Sequence, residues 1–325
     1  AKNSSFDYLA MQFRLWKRMG MAVGFLPFST VGYSLSNTSE LTKDEDGTVI
    51  NKTASYAGDG GLQQVFAGVG FKVLDNLSIG ANISYIYGDI THSVTTAFSN
   101  SSSFSSVRLD KISINDYKLD FGLQYSYKFN KKHVLNFGAV YSLGHSVNGK
   151  GYKYNQKWLN GADYPSTQTG DTITNAFSLP HTFGAGLTYV YDNRLTIGAD
   201  FTYQQWEDAK FYNEKSYFSN RTKIAAGAEF VPNPYSRNYL KRVRYRVGGY
   251  YSDPYTKVDG QDGTREYGVS AGFGFPLFQS KSILNISGQY VRVSPKVKGM
   301  LEENYLKINI GLTFNERWFM KWKVD

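Results

Sequence analysis

LPHTFGAGLTYVYDNRLTIGADFTYQQW, Leu179–Trp206, shows in one stretch the pattern that most of the chain repeats. Apolar residues occupy every second position on both sides of Asp192 and Asn193, and Gly, Thr, Asp and Gln fill most positions between them. A period of two indicates extended strands. Asp-Asn suits a two-residue hairpin turn because both residues tolerate a left-handed backbone. The stretch therefore predicts a β-hairpin.

The two faces of this hairpin differ in a way that suits a membrane. The apolar face ends in an aromatic group: Tyr189, Tyr191, Phe201, Tyr203 and Trp206. Transmembrane barrels carry an apolar band bordered by aromatic girdles outside and polar residues inside, and a strand of about ten residues crosses the bilayer. A soluble sandwich alternates in the same way and is the alternative for this hairpin.

Composition favours one large all-β domain. The 325 residues include 26 tyrosines, 22 phenylalanines and 32 glycines but only 8 prolines. No apolar run approaches the length of a membrane helix. A mean hydropathy of −0.40 is compatible with a barrel, because every second residue of a barrel strand faces the lumen and can be polar. Cysteine is absent, so there is no disulfide framework or thiolate metal site.

The net charge of +9 does not indicate a nucleic-acid partner. The basic residues are scattered along the sequence rather than gathered in one arm or helix. We therefore expect no nucleic acid among the partners.

The alternation predicts thirteen strands joined by connectors of two kinds. Their approximate bounds are 6–16, 19–35, 62–74, 77–96, 112–129, 133–147, 179–191, 195–206, 217–231, 243–252, 265–278, 282–293 and 304–314. Short connectors follow strands one, three, five, seven and eleven, whereas long polar stretches, 36–61, 99–106 and 148–178, follow or flank strands two, four and six. Outer-membrane barrels have short periplasmic turns and long outer loops. A sandwich has no reason to sort its loops in this way.

Thirteen is an unusual number for such a barrel, because single-chain bacterial barrels generally have an even count. We predict an all-β, transmembrane antiparallel β-barrel of fourteen strands, of which about thirteen are visible and the first lies upstream of Ala1. Residues 1–325 form one outer-membrane domain, and 315–325 form a short periplasmic tail. The predicted location is the bacterial outer membrane.

No arrangement of residues indicates catalysis. The four histidines lie far apart without metal-ligand spacing, and the neighbours His145 and Ser146 should point to opposite faces of a strand. Residues 43–47, KDEDG, resemble a fragment of a calcium loop but lack the later glutamate. We predict no enzyme activity, no catalytic residue, no metal and no cofactor.

Three arginines are candidate ligand-binding residues. Arg242, Arg244 and Arg246 alternate with apolar residues, which predicts an inner stripe near the periplasmic end of a strand. Guanidinium groups suit a carboxylate or phosphate. The alternative is an internal charge network with three inward carboxylates, Glu229, Asp200 and Asp120.

Pro27 is unexpected in the middle of a predicted wall strand, because proline withdraws a ladder donor and fixes its own φ. Gly24 and Gly32 flank it without side chains that would refill the space. These three residues are candidates for a lateral portal, where the strand turns inward and leaves a gap. A bulge or a position on the outer rim is the alternative.

Four segments resemble the FadL-like outer-membrane transporters of hydrophobic compounds, in the version common in the Bacteroidota. They are MAVGFLPFSTVGY at 21–33, GDGGLQQVFAGVGFKVLDNLSIGANISYIYG at 58–88, the run 179–211 with Trp206, Glu207 and Asp208, and YRVGGYYS from Tyr245. The resemblance covers essentially the whole chain. It implies fourteen strands, an N-terminal hatch and a kinked third strand that opens the wall, with Pro27 at the kink. Residues 1–325 have no spare segment for a hatch, so we expect the hatch upstream together with the first strand.

The resemblance implies passive transport of long-chain fatty acids or similar hydrophobic compounds through a plugged barrel. The expected partners are a hydrophobic small molecule, outer-membrane lipid and lipopolysaccharide. The alternative is a FadL-like structural subunit of a multi-protein outer-membrane machine for protein secretion or β-barrel assembly, with other outer-membrane proteins as partners. A long outer loop favours this alternative, and 148–178 leaves room for one.

Overall fold

The computed structural model describes residues 6–43, 46–100, 102–159, 167–174, 177–212, 215–258, 260–277, 282–295 and 302–314. The predicted tail, 315–325, and the predicted strand upstream of Ala1 lie outside them. No helix in these ranges is long and apolar enough to cross a membrane. The helices there are two short 3-10 turns, η1 (Trp206–Asp208) and η2 (Tyr239–Lys241).

Antiparallel strands make up nearly all of the described chain. In order they are β1 (Leu9–Trp16), β2 (Met19–Lys43), β3 (Val49–Lys72), β4 (Leu77–Phe98), β5 (Phe104–Lys128), β6 (His133–Ser142), β7 (His145–Ser146), β8 (Gly149–Leu159), β9 (Thr167–Thr174), β10 (Ser178–Leu179), β11 (Thr182–Tyr191), β12 (Leu195–Gln204), β13 (Arg221–Phe230), β14 (Arg244–Ser252), β15 (Lys257–Val258), β16 (Gln261–Asp262), β17 (Thr264–Pro276), β18 (Ile283–Pro295) and β19 (Glu303–Thr313).

The wall follows the order β1-β2-β3-β4-β5-β6-β11-β12-β13-β14-β17-β18-β19, so each wall strand pairs with the next along the chain. These are the thirteen strands that the alternation predicts. The β11–β12 hairpin pairs Tyr191 with Leu195, and its turn residues Asp192 and Asn193 have φ of 51° and 54°, the left-handed backbone expected of them. The all-β barrel fold is confirmed.

Apolar residues alternate with glycine and polar residues along the wall strands, so one face of the wall is apolar. Leu187, Ile197 and Phe201 are exposed on one face, and glycines and polar residues occupy the other. The exposed apolar face continues around the wall to β19, whose Leu306, Ile308 and other outward residues are also exposed. A wall with an apolar outside and a small, polar inside is suited to lipid outside and water inside.

The two ends of the barrel differ in how far the chain extends beyond the wall. At one end, here called the turn end, tight turns join β1 to β2, β3 to β4, β5 to β6 and β11 to β12. At the opposite end, the loop end, the chain makes long excursions. The connector 231–243 between β13 and β14 is the longest described at the turn end and contains η2.

The stretches predicted as loops at 36–61 and 148–178 are instead largely strands, which corrects the sequence-based boundaries. β2 has 25 residues and β3 has 24, whereas β6 has 10. Beyond the wall, the upper parts of β2, β3, β4 and β5 continue to pair, and β8 and β9 add to the same sheet next to β5. We call this six-stranded extension the outer sheet; it comprises 29–43, 49–62, 88–98, 104–114, β8 and β9.

Hydroxyl pairs across strands support the outer sheet where apolar alternation is absent. Oγ of Ser36 lies 3.2 Å from Oγ of Ser55, and Oγ1 of Thr38 lies 3.0 Å from that of Thr53. Near the junction of the wall and this sheet, Gly60 has a φ of 106°, and an added Cβ there would lie 2.2 Å from the Asp89 carbonyl oxygen. Only glycine fits a backbone with this φ at such close approach.

A hydrophobic core lies on the inner face of the wall near the loop end. Three connector segments meet there: β7 pairs with β10, and the bridge Phe177–Phe211 joins the segment after η1. The wall, the base of the outer sheet and these connectors contribute the following buried residues: Leu62, Ile86, Ile112, Ile114, Val147, Leu179 and Tyr212. We call this group the inner core.

The wall has a seam between its first and last strands. Among the described residues, β1 pairs with β2 alone and β19 with β18 alone. Within the described residues, β1 and β19 are therefore not hydrogen-bonded to one another. The fourteenth strand remains a prediction.

Candidate site in the lumen and the wall

Glycines on the inner wall let large side chains lie flat against the strand beside them. Each pair consists of direct cross-strand partners, and a Cβ on the glycine would overlap the facing side chain. The pairs are Gly24 with Phe66, Gly68 with Asn82, Gly186 with Asp200, and Gly268 with Tyr250. Side chains that lie along the wall leave the middle of the lumen open.

A cavity of about 590 Å³ follows from this arrangement. Its lining is mostly glycine and small polar residues of β3 to β12, and Asp200 is the only charged residue in it. An added Cβ at Gly138 would meet nothing within 4 Å, so this part of the lumen is empty of side chains. The cavity is therefore wide and weakly polar, without a cluster of cations.

Two of the three predicted arginines converge on one carboxylate. Nη1 of Arg244 donates to Oε1 of Glu229 at 2.9 Å, and Nε of Arg246 donates to Oε2 at 2.7 Å. Nη1 of Arg246 also donates to Oδ1 of Asn285 at 2.7 Å. These guanidiniums are partly exposed, but their charge is offset by Glu229, as in the alternative of an internal network.

Arg242 lies outside this stripe because its backbone is not part of the strand. It has αR geometry as the C-cap of η2 and lies two residues before β14 begins. Its guanidinium lies 5.5 Å from the centroid of the Tyr239 ring. The other predicted network carboxylates are also elsewhere. Asp120 pairs with Lys118 and accepts from Ser142, and Asp200 lies over Gly186.

Pro27 lies at an irregularity in the wall. The β2–β3 register shifts between Pro27 and Ser29, so Phe28 is an extra residue, and its side chain packs against the inner core. On the other side, the β1–β2 ladder ends with Leu9 opposite Phe25. The paired part of β1 therefore ends opposite a residue two positions before the proline, and the Phe6 ring stacks on Phe25 at 6.1 Å.

The two glycines of the predicted portal have different surroundings. An added Cβ at Gly24 would lie 2.5 Å from the Phe66 ring, so that space is already filled. An added Cβ at Gly32 would meet nothing within 4 Å. A second, mostly apolar cavity of about 590 Å³ lies beside this region and is lined mainly by outward-facing residues, with Leu9, Phe25 and Tyr85 among them.

Aromatic residues of the connectors form a cluster over the inner core. Trp206 lies 5.2 Å from Phe218 and 5.0 Å from Tyr255 between ring centroids, and Phe177 and Phe211 join the same group. Sequence reasoning missed this cluster because its members do not alternate. The sequence feature that could have indicated the cluster is the presence of large aromatic residues in connectors that are otherwise polar.

Tyr212 is the most constrained member of the inner core. Its φ is 50°, a left-handed value that is rare for a bulky residue, and its side chain is buried. Burial raises the pKa of Tyr212 to about 12; the Asp110 carboxylate adds to the rise, and Arg108 opposes it. Nζ of Lys153 lies 4.6 Å from the centroid of the ring. These contacts tie the connectors to the outer sheet.

The described residues contain no group of three or more His, Cys, Asp or Glu side chains that could hold a metal ion. His145 stacks on Tyr117 at 4.6 Å, and its Nε2 lies 3.4 Å from Oδ2 of Asp116. Ser146 pairs with Ser178 in the β7–β10 bridge. The histidine therefore serves packing at the edge of the inner core.

Solved structures with a similar fold include transporters and channels. The Pseudomonas putida toluene transporter TodX aligns with a TM-score of 0.57 and 14% identity over 93% of this chain and 80% of TodX. The Ralstonia pickettii toluene transporter TbuX gives 0.55 and 13% over 88% and 77%. A Pseudomonas aeruginosa FadL homologue gives 0.53 and 16% over 88% and 69%. At these identities the similarity shows the fold alone, and the expected FadL-like fold is confirmed.

A comparison with curated proteins finds no match. A comparison with protein-family models matches BamG over residues 1–325. Because that match spans the whole chain, the protein belongs to the BamG family.

Proposed function

We propose that this barrel is a structural subunit of a multi-protein machine in the bacterial outer membrane, for β-barrel assembly or protein secretion. The outer sheet carries this proposal. A strand of about 9–11 residues crosses the membrane, so more than half of the 25 residues of β2 extend beyond it. At about 3.3 Å per residue, that excess reaches tens of ångströms above the wall.

The outer sheet has the properties of a docking surface. Leu35 and Tyr56 are exposed and paired with one another across β2 and β3. β9 pairs with β8 alone among the described residues, so its other edge offers unpaired backbone groups. Membership in the BamG family supports β-barrel assembly as the task of the machine.

Mild detergent extraction followed by a native gel and mass spectrometry tests this proposal. We expect other outer-membrane proteins to co-purify stably with the intact barrel. A variant in which a short turn replaces 34–56 should keep a folded wall but lose those proteins. A lone barrel that carries only bound lipid would contradict the proposal.

The second candidate function is passive transport of hydrophobic compounds, with long-chain fatty acids as the specific class. Two observations favour it: the β1–β2 ladder ends beside Pro27, and an apolar cavity adjoins that point. An amphiphile could leave sideways there without crossing an aqueous pore. In this proposal, Gly24, Pro27 and Gly32 border a portal that interrupts the wall.

Ligand binding separates the two candidates. If Arg242, Arg244 and Arg246 bind a carboxylate, replacing all three with Gln should weaken binding of a fatty acid and leave its alcohol analogue unchanged. Equal loss for both ligands would assign the arginines to structure. Uptake of a fatty acid that depends on Pro27, by a barrel without co-purifying proteins, would favour transport over the machine.

A further inference from the structure

The positive charge of the chain is concentrated at the turn end of the barrel. The described turn-end connectors carry these basic residues: Lys17, Arg18, Lys131, Lys132, Arg194, Arg237, Lys241 and Arg242. The acidic residues in the described part of these connectors are Asp75 and Asp192. At the loop end the two signs are mixed and often paired, as in Lys111 with Asp89. The even distribution of charge along the sequence therefore becomes a polarised distribution in the fold.

The connector 232–242, here called the basic loop, is held in one conformation by its own hydrogen bonds. The Asn233 backbone N–H donates to the Lys241 carbonyl at 2.8 Å, which closes the loop. Oδ1 of Asn233 accepts from the Tyr235 backbone N–H at 3.0 Å, and Oδ1 of Asn238 accepts from that of Leu240 at 3.0 Å. Groups fixed before binding lose less entropy when a ligand arrives.

This ordered loop exposes large apolar side chains. Tyr235 is 90% exposed and Leu240 is 65% exposed. The hydroxyl of Tyr245 donates to the Leu240 carbonyl at 3.1 Å. The Tyr245 ring lies 5.8 Å from that of Phe273, on the apolar outside of the wall. The loop is therefore attached to the lipid-facing side of the barrel, beside the rings of Tyr245 and Phe273.

Arg237 and Lys241 are the exposed cations of the basic loop, and 232–242 contains no acidic residue. Neither side chain forms an ion pair within the described part of the chain. Cations near a membrane surface attract anionic headgroups, and aromatic and aliphatic side chains beside them enter the interface.

We propose that the basic loop binds the phosphate of an anionic phospholipid in the membrane leaflet at the turn end. Arg237 and Lys241 contact the headgroup, and Tyr235 and Leu240 insert beside it. The hydrogen bond to Tyr245 favours lipid over an acidic protein, because it holds the loop against the apolar wall. The inference rests on the membrane location of the barrel and on neither the transport nor the machine proposal.

Reconstitution of the full chain into nanodiscs of phosphatidylcholine, with and without phosphatidylglycerol, tests the charge requirement. Each cation near an anionic surface contributes about 5-fold in affinity, so Arg237→Gln with Lys241→Gln should lower affinity for phosphatidylglycerol about 25-fold at low salt. Retained lipid is measured by native mass spectrometry. Lys43→Gln with Lys210→Gln removes the same charge from the loop end and should have no such effect. Equal retention by the two double variants would overturn the proposal.

A second measurement locates Tyr235. The chain has no cysteine, so Tyr235→Cys accepts a single fluorophore, and Lys43→Cys supplies a matched label at the loop end. A quencher attached to the lipid acyl chain near the headgroup should quench the label at 235 and leave the label at 43 bright. A label at 235 that is quenched only by a water-soluble agent would overturn lipid insertion and favour an acidic protein as the occupant.

Discussion

Arg246 faces Glu229 across β14 and β13, and its Nε donates to Oε2 of that carboxylate at 2.7 Å. Arg244 uses the other oxygen of the same carboxylate. One carboxylate thus serves two guanidiniums on the inner wall. This pairing offsets the repulsion between two neighbouring cations on the inner wall.

Replacing Glu229 with Gln should destabilise the barrel by leaving both guanidiniums without a counter-charge. The side chains are partly exposed, so water screens much of the effect, and we expect a loss of about 1–2 kcal/mol. The midpoint of urea unfolding in detergent measures it. Asp200→Asn is the control, because the Asp200 carboxylate lies over Gly186 and not beside these arginines. Equal midpoints for the two variants would show that the pairing contributes nothing.

Gly58 makes room for a ring in the outer sheet. An added Cβ at Gly58 would lie 2.2 Å from the Tyr33 ring, whose hydroxyl lies 3.0 Å from Nδ1 of His92. Gly58→Ala should displace that ring and cost about 1–3 kcal/mol. Gly32→Ala, in the same sheet, meets open space and should be nearly neutral. Limited proteolysis of the outer sheet should distinguish them; equal resistance would refute a steric role for Gly58.

The wall could be predicted from the sequence because lipid and lumen impose opposite demands on successive residues. Leu187 and Gly186 illustrate this: one is exposed on the apolar face, and the other lies under Asp200 in the lumen. Above the membrane both faces of a strand can be polar, so Ser36 and Thr38 carry no period that indicates a strand. The pairing of these residues depends on the backbone of the neighbouring strand, so the sequence alone predicts a loop here.

The site was only partly predictable for a related reason. The inward arginine stripe and Glu229 follow from strand parity, and the structure brings Arg244 and Arg246 to that carboxylate. Arg242 departs from parity because Asn238 caps η2 and keeps the chain out of the strand until Arg244. The inner core combines residues from connectors that are distant in the sequence, such as Val147 and Tyr212. No local sequence pattern predicts that these residues pack together.

Two isoleucines on opposite faces of β4 allow a direct test of the inner core. Ile86 is 2% exposed within the core, and Ile83 is 58% exposed on the outside. Ile86→Ala should cost about 2–4 kcal/mol because it leaves a cavity among packed side chains. Ile83→Ala should cost about 1 kcal/mol or less, since lipid or detergent can fill the space. Thermal unfolding in one detergent compares them, and equal losses would mean that the inner core is not tightly packed.

The seam predicts how far apart β1 and β19 lie. If a fourteenth strand occupies it, cysteines at Met11 and Ile308 should not form a disulfide, because Cβ atoms must approach to about 4 Å. Cysteines at Met11 and Val23, which are direct partners in the β1–β2 ladder, supply the positive control. Oxidation followed by a gel-shift assay reports both. Efficient cross-linking of Met11→Cys with Ile308→Cys would show a barrel that closes with thirteen strands.

Tyr212 should make the stability of the barrel depend on alkaline pH. Its pKa is raised to about 12 by burial first and by Asp110 second, whereas a tyrosine in the unfolded chain titrates near pH 10. Below about pH 10 both states keep the proton, and the contribution of Tyr212 to stability is fully present. As pH rises from about 10 to 12, the unfolded chain releases the proton first, so unfolding becomes more favourable. One titrating group changes stability by at most about 1.4 kcal/mol per pH unit, so the loss by pH 11 should be about 1 kcal/mol.

Tyr212→Phe removes this proton and serves as the comparison. The Tyr212 hydroxyl has no hydrogen-bond partner within the described residues, so the variant should match the wild type at neutral pH. Other tyrosines titrate in both proteins, and the difference between the two urea midpoints therefore isolates Tyr212. We expect this difference to grow in favour of the variant between pH 9 and 11. Parallel curves over that interval would place the Tyr212 hydroxyl in water and would contradict its burial under the connectors.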